Sequence, residues 1–233
     1  MDNYIEEDNT TVEGRIIGVM PEGIGVYKLP NQCHLDYKKK ILNIDQTASE
    51  NFRREDDIQK KQLRHISNNR KQNIFKDFPE LTPLKTRITN CALNYFEVTG
   101  YDCKQIVITD AWINIGSKNS TLEAHLHSNS YLSGNYFVNF DPKIHSLLNF
   151  YNDRLLSTGR QPFISIQAKN EKTLYNTREI GLGNEGSIIF WKSHLLHGFN
   201  KPNLGDNRIT LSFNIMPKIC VTGEQYSFVV NDE

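Results

Sequence analysis

The sequence predicts a mainly β chain with helices in its N-terminal part, folded as a sandwich or barrel of short strands. From residue 101 onward, short segments are rich in β-branched and aromatic residues, such as QIVITDAWINI (105–115) and RITLSFNI (208–215). Turn-forming stretches separate these segments, among them FDPK (140–143) and GLGNEG (181–186). Regular short strands without helices between them are typical of all-β layers.

Eight segments carry the strand pattern, at 105–115, 123–127, 133–140, 147–151, 163–168, 173–180, 187–191 and 208–215. Ahead of them, a helix is predicted over Thr82–Thr99. Thr82 can cap this helix, Pro83 suits its first turn, and Gly100 suits its end. Its apolar face should pack against the sheet and comprises Leu84, Ile88, Cys91 and Tyr95.

Residues 1–80 differ in character from residues 81–233, which we predict to hold the helix and the β domain. Residues 1–11 indicate a frayed acidic tail, and GIGVYKL (23–29) indicates a short edge strand. Residues 36–72 are dense in charge and poor in apolar positions, which predicts a solvated helical segment. This N-terminal part is expected to be either part of the same unit or loosely attached to it.

Charge and composition argue against several functional classes. The 233 residues carry 27 Lys and Arg against 27 Asp and Glu, so the chain lacks the positive field of a general nucleic-acid or membrane-surface binder. The sequence has no run of about 18 apolar residues that would predict a transmembrane helix. The start is acidic, unlike a secretory signal, and the four scattered cysteines contain no CxxC. We therefore expect a reduced, cytoplasmic protein.

Three of the seven histidines stand in an order that indicates a metal site. His125 and His127 are two residues apart on a predicted strand and therefore face the same side, so both imidazoles can bind one ion. His197 follows the apolar segment 187–191. Two-histidine-plus-one sites with open positions are typical of non-haem Fe(II) oxygenases.

Downstream of His197, a predicted strand places Arg208, Thr210 and Ser212 on one face. A guanidinium pairs bidentately with a carboxylate, and either hydroxyl can add a hydrogen bond to the same group. The pattern therefore indicates an organic ligand that chelates the metal at one end and carries a carboxylate at the other.

The segment from Ala111 to Asn214 resembles the 2-oxoglutarate/Fe(II)-dependent oxygenases of bacteria and marine phages, an H-x-H…H…R variant of the double-stranded β-helix dioxygenases. The resemblance rests on W-x-N at 112–114, H-x-H at 125–127, S-G and an aromatic strand at 133–137, G-x-x-x-F-x-x-S-x-x-x-H at 186–197, and R-I-T-L-S-F-N at 208–214. It implies a double-stranded β-helix, a cupin-like jelly roll of about eight core strands with helices packed on one face.

The resemblance also implies a reaction with Fe(II), 2-oxoglutarate as co-substrate and O2. A C–H bond of a protein side chain or small metabolite would be hydroxylated, with release of succinate and CO2. Carried over to this chain, the resemblance makes His125 and His197 metal ligands and Arg208 the anchor of the distal carboxylate of 2-oxoglutarate. The other candidate contacts of the co-substrate are Thr210, Ser212, Asn114 and Tyr136.

The chain departs from the wider superfamily at one position, because His127 stands where the H-x-D/E pattern has a carboxylate. In the register that we favour, His125, His127 and His197 all bind the metal. In the other register, His127 binds with His197, and Asn129 falls at the third position. A carboxylate from a neighbouring strand is a further option, from Asp110 or Glu123.

Other residues have simpler interpretations. Trp112 is expected in the core, and Asn114 is as readily a satisfied buried amide as a co-substrate ligand. Ser133 and Tyr136 lie on alternate faces of their strand, so only one of them faces the barrel interior. His194 is expected outside the site, and three further histidines at the surface, namely His34, His65 and His145.

Two other functions remain open from the sequence alone. One is a three-histidine, cupin-type iron dioxygenase that does not use 2-oxoglutarate. The other is a non-enzymatic jelly roll, such as a phage structural or binding protein. We expect substrate contacts from the loop at 153–162 and from the N-terminal segment, with no nucleic-acid or membrane partner and with a homodimer as an open option.

Overall fold

A computed structural model of the chain describes residues 2–7, 10–15, 22–48, 53–55, 63–67, 73–151, 179–222 and 226–231. The helices are α1 (Asn31–Thr47), α2 (Ile74–Asp77) and α3 (Thr82–Val98), with a 3₁₀ turn at Pro79–Leu81. The strands are β1 (Asp2–Glu7), β2 (Thr10–Arg15), β3 (Gly25–Lys28), β4 (Arg53–Glu55), β5 (Leu63–Ile66), β6 (Ile106–Gly116), β7 (Leu122–His125), β8 (Leu132–Asn139), β9 (Leu148–Tyr151), β10 (Glu179–Leu182), β11 (Ser187–Lys192), β12 (His197–Phe199), β13 (Arg208–Pro217), β14 (Ile219–Thr222) and β15 (Tyr226–Val229).

Two antiparallel sheets form the body of the protein. The larger has the order β3-β11-β8-β13-β6-β5-β4, and the smaller has the order β10-β9-β12-β7. The sheets face each other, because the ring centroid of Phe150 on β9 lies 5.3 Å from that of Trp191 on β11. On the other side, the ring of His127, just beyond β7, lies 6.2 Å from that of Trp112 on β6. This arrangement agrees with the predicted mainly β jelly roll.

The two faces of the larger sheet have different partners because side chains alternate along a strand. On β13, the apolar residues Ile209, Leu211, Phe213 and Ile215 belong to a large core cluster shared with α1 and α3. The intervening residues of β13 are polar and still buried, namely Arg208, Thr210, Ser212 and Asn214. One face of the sheet therefore supports the helices, and the other presents polar groups to the interior between the sheets.

The N-terminal part contributes elements to the same body. Helix α1 buries Tyr37, Ile41 and Ile44 in the core cluster, so this helix is packed against the sheet. β3 pairs with β11 at one edge of the larger sheet, which confirms the short edge strand predicted at 23–29. The division of the chain at residue 80 stays a prediction.

Two expectations for the N-terminal part were wrong. Residues 2–7 and 10–15 pair with each other as β1 and β2, where a frayed tail was expected. Strands β4 and β5 stand where a charged helical segment was expected, and β5 pairs with β6. Helix propensity is a weak preference. In β5 it is outweighed by main-chain hydrogen bonds to β6, whose edge would otherwise be unpaired. Residues 56–62 and 68–72 lie outside the described residues.

The predicted helix at Thr82–Thr99 corresponds to α3, which buries Leu84, Ile88 and Tyr95 as expected. Thr82 does not cap it, because the N-cap residue is Leu81 and no side-chain hydrogen bond caps the N-terminus of the helix. The 3₁₀ turn at Pro79–Leu81 leads directly into the helix and takes the place of a side-chain cap. Gly100 adopts φ 85°, a left-handed conformation that suits a glycine at the end of a helix.

Most strands predicted after residue 101 are confirmed, as β6 to β9, β11 and β13, and β10 overlaps the last two residues of the strand predicted at 173–180. The strand predicted at 163–168, most of that at 173–180, and the loop at 153–162 lie outside the described residues. The three-residue strand β12 and the pair β14 and β15 were not predicted. None of the helices that the structure describes is long and apolar enough to cross a membrane.

Candidate metal and co-substrate site

The backbone of the smaller sheet brings the three predicted histidines together. β7 ends at His125 and β12 begins at His197, and these two residues are direct partners in the antiparallel register. His127 lies two residues beyond the end of β7, where its N–H donates to the carbonyl oxygen of Ser193 at 3.0 Å. Main-chain hydrogen bonds therefore fix the backbone positions of the three histidines.

The three imidazoles form a compact cluster. One ring nitrogen from each of His125, His127 and His197 lies within 4.8 Å of the other two. The ring centroids of His125 and His197 are 4.5 Å apart, and that of His127 is 5.2 Å from each of them. Within the described residues, no Asp, Glu or Cys belongs to this cluster.

Hydrogen bonds fix which ring nitrogen of two histidines is available to a metal. Nδ1 of His125 lies 2.8 Å from the carbonyl oxygen of Glu123, and Nδ1 of His197 lies 2.7 Å from that of Leu195. A carbonyl oxygen only accepts, so each Nδ1 carries a proton and Nε2 is the nitrogen left to face a metal. This is the arrangement found around metal-binding histidines, whose second nitrogen donates to the protein.

The local environment keeps two of the imidazoles neutral. Burial, followed by the proximity of His125, lowers the pKa of His127 to about 4. Burial and His125 also lower the pKa of His197 to about 3, although the hydrogen bond to Leu195 acts in the opposite direction. At neutral pH both rings are therefore in the unprotonated form that binds a metal.

A cavity of about 90 Å³ opens at the histidine cluster, between the two sheets. Trp112 and Asn114 of β6, Asn135 of β8, Trp191 of β11 and Ser212 of β13 contribute to its wall. Its described lining contains no Asp, Glu, Lys or Arg. The cavity therefore has a neutral wall of aromatic, amide and hydroxyl groups around the three imidazoles.

Arg208 lies at the start of β13 and is only 1% exposed. Its Nε donates to the carbonyl oxygen of Ser146 at 3.0 Å, and its guanidinium carbon is 4.2 Å from the centroid of the Phe199 ring. Its Nη2 is buried and has no hydrogen-bond partner within the described part of the chain. Burial lowers the pKa of Arg208 to about 9, so the group stays charged at neutral pH. A buried cation with an unused donor fits a carboxylate ligand.

Asn114 joins the predicted hydroxyl groups into one buried network. Its amide nitrogen donates to Ser212 Oγ at 2.6 Å and to Thr210 Oγ1 at 3.4 Å. Its carbonyl oxygen accepts from Trp112 Nε1 at 3.0 Å, and Ser212 Oγ donates to Asn135 Oδ1. Trp112 is therefore a half-buried wall residue of the cavity, and its expected place in the core was wrong.

Tyr136 is the predicted site residue that the structure does not bring to the cavity. Its ring is on the helix side of the larger sheet, in the core cluster, and its hydroxyl lies 2.7 Å from Nδ1 of His34 on α1. Ser133, on the opposite face of β8, lines the cavity and bonds to Ser193 and Asn214.

The other candidates for a third ligand lie outside the cluster. The carboxylate of Asp110 accepts from Thr109 Oγ1 at 2.8 Å and from Asn214 Nδ2 at 3.5 Å. Glu123 is exposed and contributes its main-chain carbonyl to His125, and Asn129 is exposed and is not part of the cavity lining. Of the arrangements that the sequence left open, the three-histidine cluster is the one that the geometry favours.

His65 is a cavity residue that the sequence reasoning missed. It lines the cavity from β5, directly opposite Asn114 on β6. In a strand, Leu63 and His65 lie on one face and Arg64 and Ile66 on the other, and this alternation was the available signal. The charged residues around it favoured a solvated helix instead. The expected surface location was also wrong for His34 and His145, which are 5% and 4% exposed. His194 is exposed, as expected.

Comparison with solved structures identifies the class of fold. The chain aligns with HygX from Streptomyces hygroscopicus, a structure with nickel, 2-oxoglutarate and hygromycin B bound, at a TM-score of 0.57 and 9% identity over 86% of this chain and 85% of that one. It aligns with the α-ketoglutarate-dependent carbocyclase SnoK from nogalamycin biosynthesis at a TM-score of 0.61 and 12% identity, over 85% and 81% of the two chains. It aligns with a prolyl hydroxylase from Trichoplax adhaerens at a TM-score of 0.54 and 9% identity, over 83% of each chain. The fold is therefore the jelly roll of these oxygenases.

A family model matches the segment that carries the site. Residues 110–214, a little under half of the chain, match the family described as "Putative 2OG-Fe(II) oxygenase". The protein is thus an oxidoreductase of the 2-oxoglutarate-dependent class, with Fe(II), 2-oxoglutarate and O2 as its cofactors. This assignment goes against a non-enzymatic jelly roll and against an iron dioxygenase that does not use 2-oxoglutarate. No curated protein sequence is significantly similar to the chain.

Proposed function

We propose that the protein hydroxylates a C–H bond of a protein side chain or small metabolite, with release of succinate and CO2. The observation that carries this proposal is the pairing of two features in one interior. Three imidazoles offer nitrogens within 4.8 Å of one another, and Arg208 has a buried guanidinium nitrogen without a partner among the described residues. Together they suit a ligand that chelates a metal and ends in a carboxylate.

In this proposal, Fe(II) is held by His125, His127 and His197, and 2-oxoglutarate has its distal carboxylate at Arg208. When bound, the metal supplies the activation of O2 that couples oxidative decarboxylation of 2-oxoglutarate to hydroxylation of the substrate. Thr210, two residues after Arg208 on the same face of β13, contributes a hydroxyl next to the anchor.

The remaining wall residues orient the ligands and exclude water. The amide of Asn114 holds the hydroxyl of Ser212 and the indole of Trp112 in place, which keeps this side of the cavity rigid. Buried aromatic rings of Trp191 and Phe150 close the side next to His197. Because Arg208 is buried, its charge acts more strongly on a carboxylate than it would in water.

The substrate is the finer part of the proposal. The solved structures of similar fold include one with hygromycin B bound and a prolyl hydroxylase in complex with a peptide. These two ligand types correspond to the small-metabolite and protein options.

The test is an anaerobic titration of the Fe(II)-loaded protein with 2-oxoglutarate. A weak visible band at about 500 nm is expected from the chelated oxo acid, together with succinate formation once O2 is admitted. His197→Ala should abolish both signals, whereas His194→Ala, at an exposed histidine three residues earlier, should keep both. Absence of the band and of succinate in the wild-type protein would refute the proposal.

A further inference from the structure

The third histidine of the cluster gives the metal site a donor set without a carboxylate. His127 stands where a carboxylate is expected from the superfamily pattern, and its ring lies 5.2 Å from both other imidazoles. The carboxylate of Asp110, one of the alternative candidates, accepts hydrogen bonds from Thr109 and Asn214 and does not belong to the cluster among the described residues. The donors on offer are therefore three imidazole nitrogens.

This donor set has a chemical consequence for metal choice. Imidazole nitrogen binds divalent ions with an affinity that rises steeply from Mn(II) and Fe(II) to Ni(II) and Cu(II), whereas carboxylate oxygen is a harder ligand that suits Mn(II). Exchanging one carboxylate for one imidazole removes the ligand that favours Mn(II). It also leaves the bound ion's charge of +2 without compensation from the protein.

We propose that His127 sets the metal preference of this site, shifting it toward Ni(II) and Co(II) and away from Mn(II) and Fe(II), relative to a site with a carboxylate at this position. The inference rests on the proposed function only in taking the three histidines as ligands of one ion. Metal binding in the absence of 2-oxoglutarate is sufficient to test it.

The experiment measures dissociation constants of the full, metal-free chain for two ions. Mn(II) binding is followed by electron paramagnetic resonance of the free ion, and Ni(II) binding by competition with a chromophoric chelator. His127→Asp should lower the preference for Ni(II) over Mn(II) by about tenfold or more relative to the wild type. His194→Asp makes the same exchange at an exposed histidine and should leave the preference unchanged. An unchanged preference in His127→Asp would overturn the proposal.

A second measurement does not depend on how well the variant folds. X-ray absorption spectroscopy of the Ni(II)-loaded wild-type protein counts imidazole ligands from their multiple-scattering pattern. Three imidazoles are expected, and a count of two would overturn the role of His127. If neither the visible band nor succinate appears, the proposed function is refuted, but the metal-binding results still stand. The failure of one proposal can therefore be distinguished from the failure of the other.

Discussion

Arg208 is the residue whose environment most directly explains why a co-substrate would bind. The residue is 1% exposed, and its guanidinium lies over the Phe199 ring and has one nitrogen with no partner among the described residues. A buried charge without a counter-ion is unfavourable, and a carboxylate that reaches it is correspondingly well bound. Its place on the same face of β13 as Thr210 and Ser212 puts that carboxylate on the side of the sheet where Ser212 lines the cavity, although Arg208 and Thr210 are not themselves part of the lining.

Replacing Arg208 with Ala should therefore weaken 2-oxoglutarate binding by about 2–5 kcal/mol, which corresponds to roughly 30-fold or more. Arg208→Lys should recover only part of the loss, because an ammonium cannot form the bidentate pair. Isothermal titration of the Mn(II)-loaded proteins measures the dissociation constant. Arg87→Ala, at an exposed arginine of α3, is the control and should bind like the wild type. Equal affinities for Arg208→Ala and the control would contradict the anchor role.

The sequence was sufficient for the residues whose role depends on short-range spacing. His125 and His127 were found from their spacing of two, and Arg208, Thr210 and Ser212 from the same period on one strand. Tyr136 was misplaced, because the period leaves open which face of β8 is the interior. Packing of His34 from α1 against the Tyr136 hydroxyl decides this, and a contact between residues so distant in the chain has no local signature.

Among the elements, β12 matters most to the site although it has only three residues. It pairs with β7 on one side and with β9 on the other, so His197 is fixed from both directions. The close approach to β7 requires a glycine at position 198. A Cβ there would lie 2.7 Å from the carbonyl oxygens of Leu122 and Glu123, both of which belong to the main chain.

Gly198→Ala should force β12 away from β7 and lower the free energy of unfolding by about 1–3 kcal/mol. The displacement would also separate His197 from His125, so metal affinity should fall together with stability. Urea unfolding and Mn(II) titration measure the two effects. Gly23→Ala provides the matched control, because its Cβ would meet only Thr99 at 3.8 Å, an ordinary contact. A Gly198→Ala protein as stable as the control would show that the smaller sheet can adjust.

Short or charged elements were the ones that the sequence did not predict. β12 is too short to show a period, and β5 is surrounded by charged residues that suggest a solvated helix. What makes them strands is the neighbouring strand with which each pairs, β7 and β9 for β12 and β6 for β5. Long segments with their own apolar alternation, such as β6 and β13, could be recognised without knowledge of their neighbouring strands and were predicted almost to their ends.

At the scale of the whole molecule, Glu185 connects α1 to the larger sheet. Its carboxylate accepts from Lys38 Nζ at 2.9 Å, from His34 Nε2 at 3.1 Å and from the Phe140 N–H at 2.9 Å. Lys28 Nζ donates to its main-chain carbonyl. Burial alone would raise the pKa of Glu185, but the hydrogen bonds outweigh it and lower this pKa to about 2.

The low pKa of Glu185 predicts a stability difference that depends on pH. Its ordinary pKa is 4.5, so the ionised form stabilises the fold above that pH, and this contribution is lost as the pH falls from 4.5 toward about 2. Glu185→Gln should cost about 1 kcal/mol at neutral pH, a figure reduced for the partial exposure of the carboxylate. The difference from wild type in urea unfolding should shrink across that window. With Glu80→Gln, at an exposed site before α3, the difference should stay flat, and a flat difference for Glu185→Gln would refute the prediction.

The family segment at 110–214 should not fold without the elements that precede it. The helix-side face of the larger sheet carries buried apolar residues on β6, β8 and β13, including Ile113, Val138 and Leu211, and α1 and α3 cover this face. A fragment of residues 110–214 would expose it to water at about 25 cal/mol per Å² of apolar surface. We expect poor chemical-shift dispersion and no cooperative melting.

Residues 22–233 keep α1, α3 and β3 and lose β1 and β2, which pair only with each other among the described strands. That longer fragment should melt like the full chain, and cooperative melting of the 110–214 fragment would show that the N-terminal elements are not required for folding.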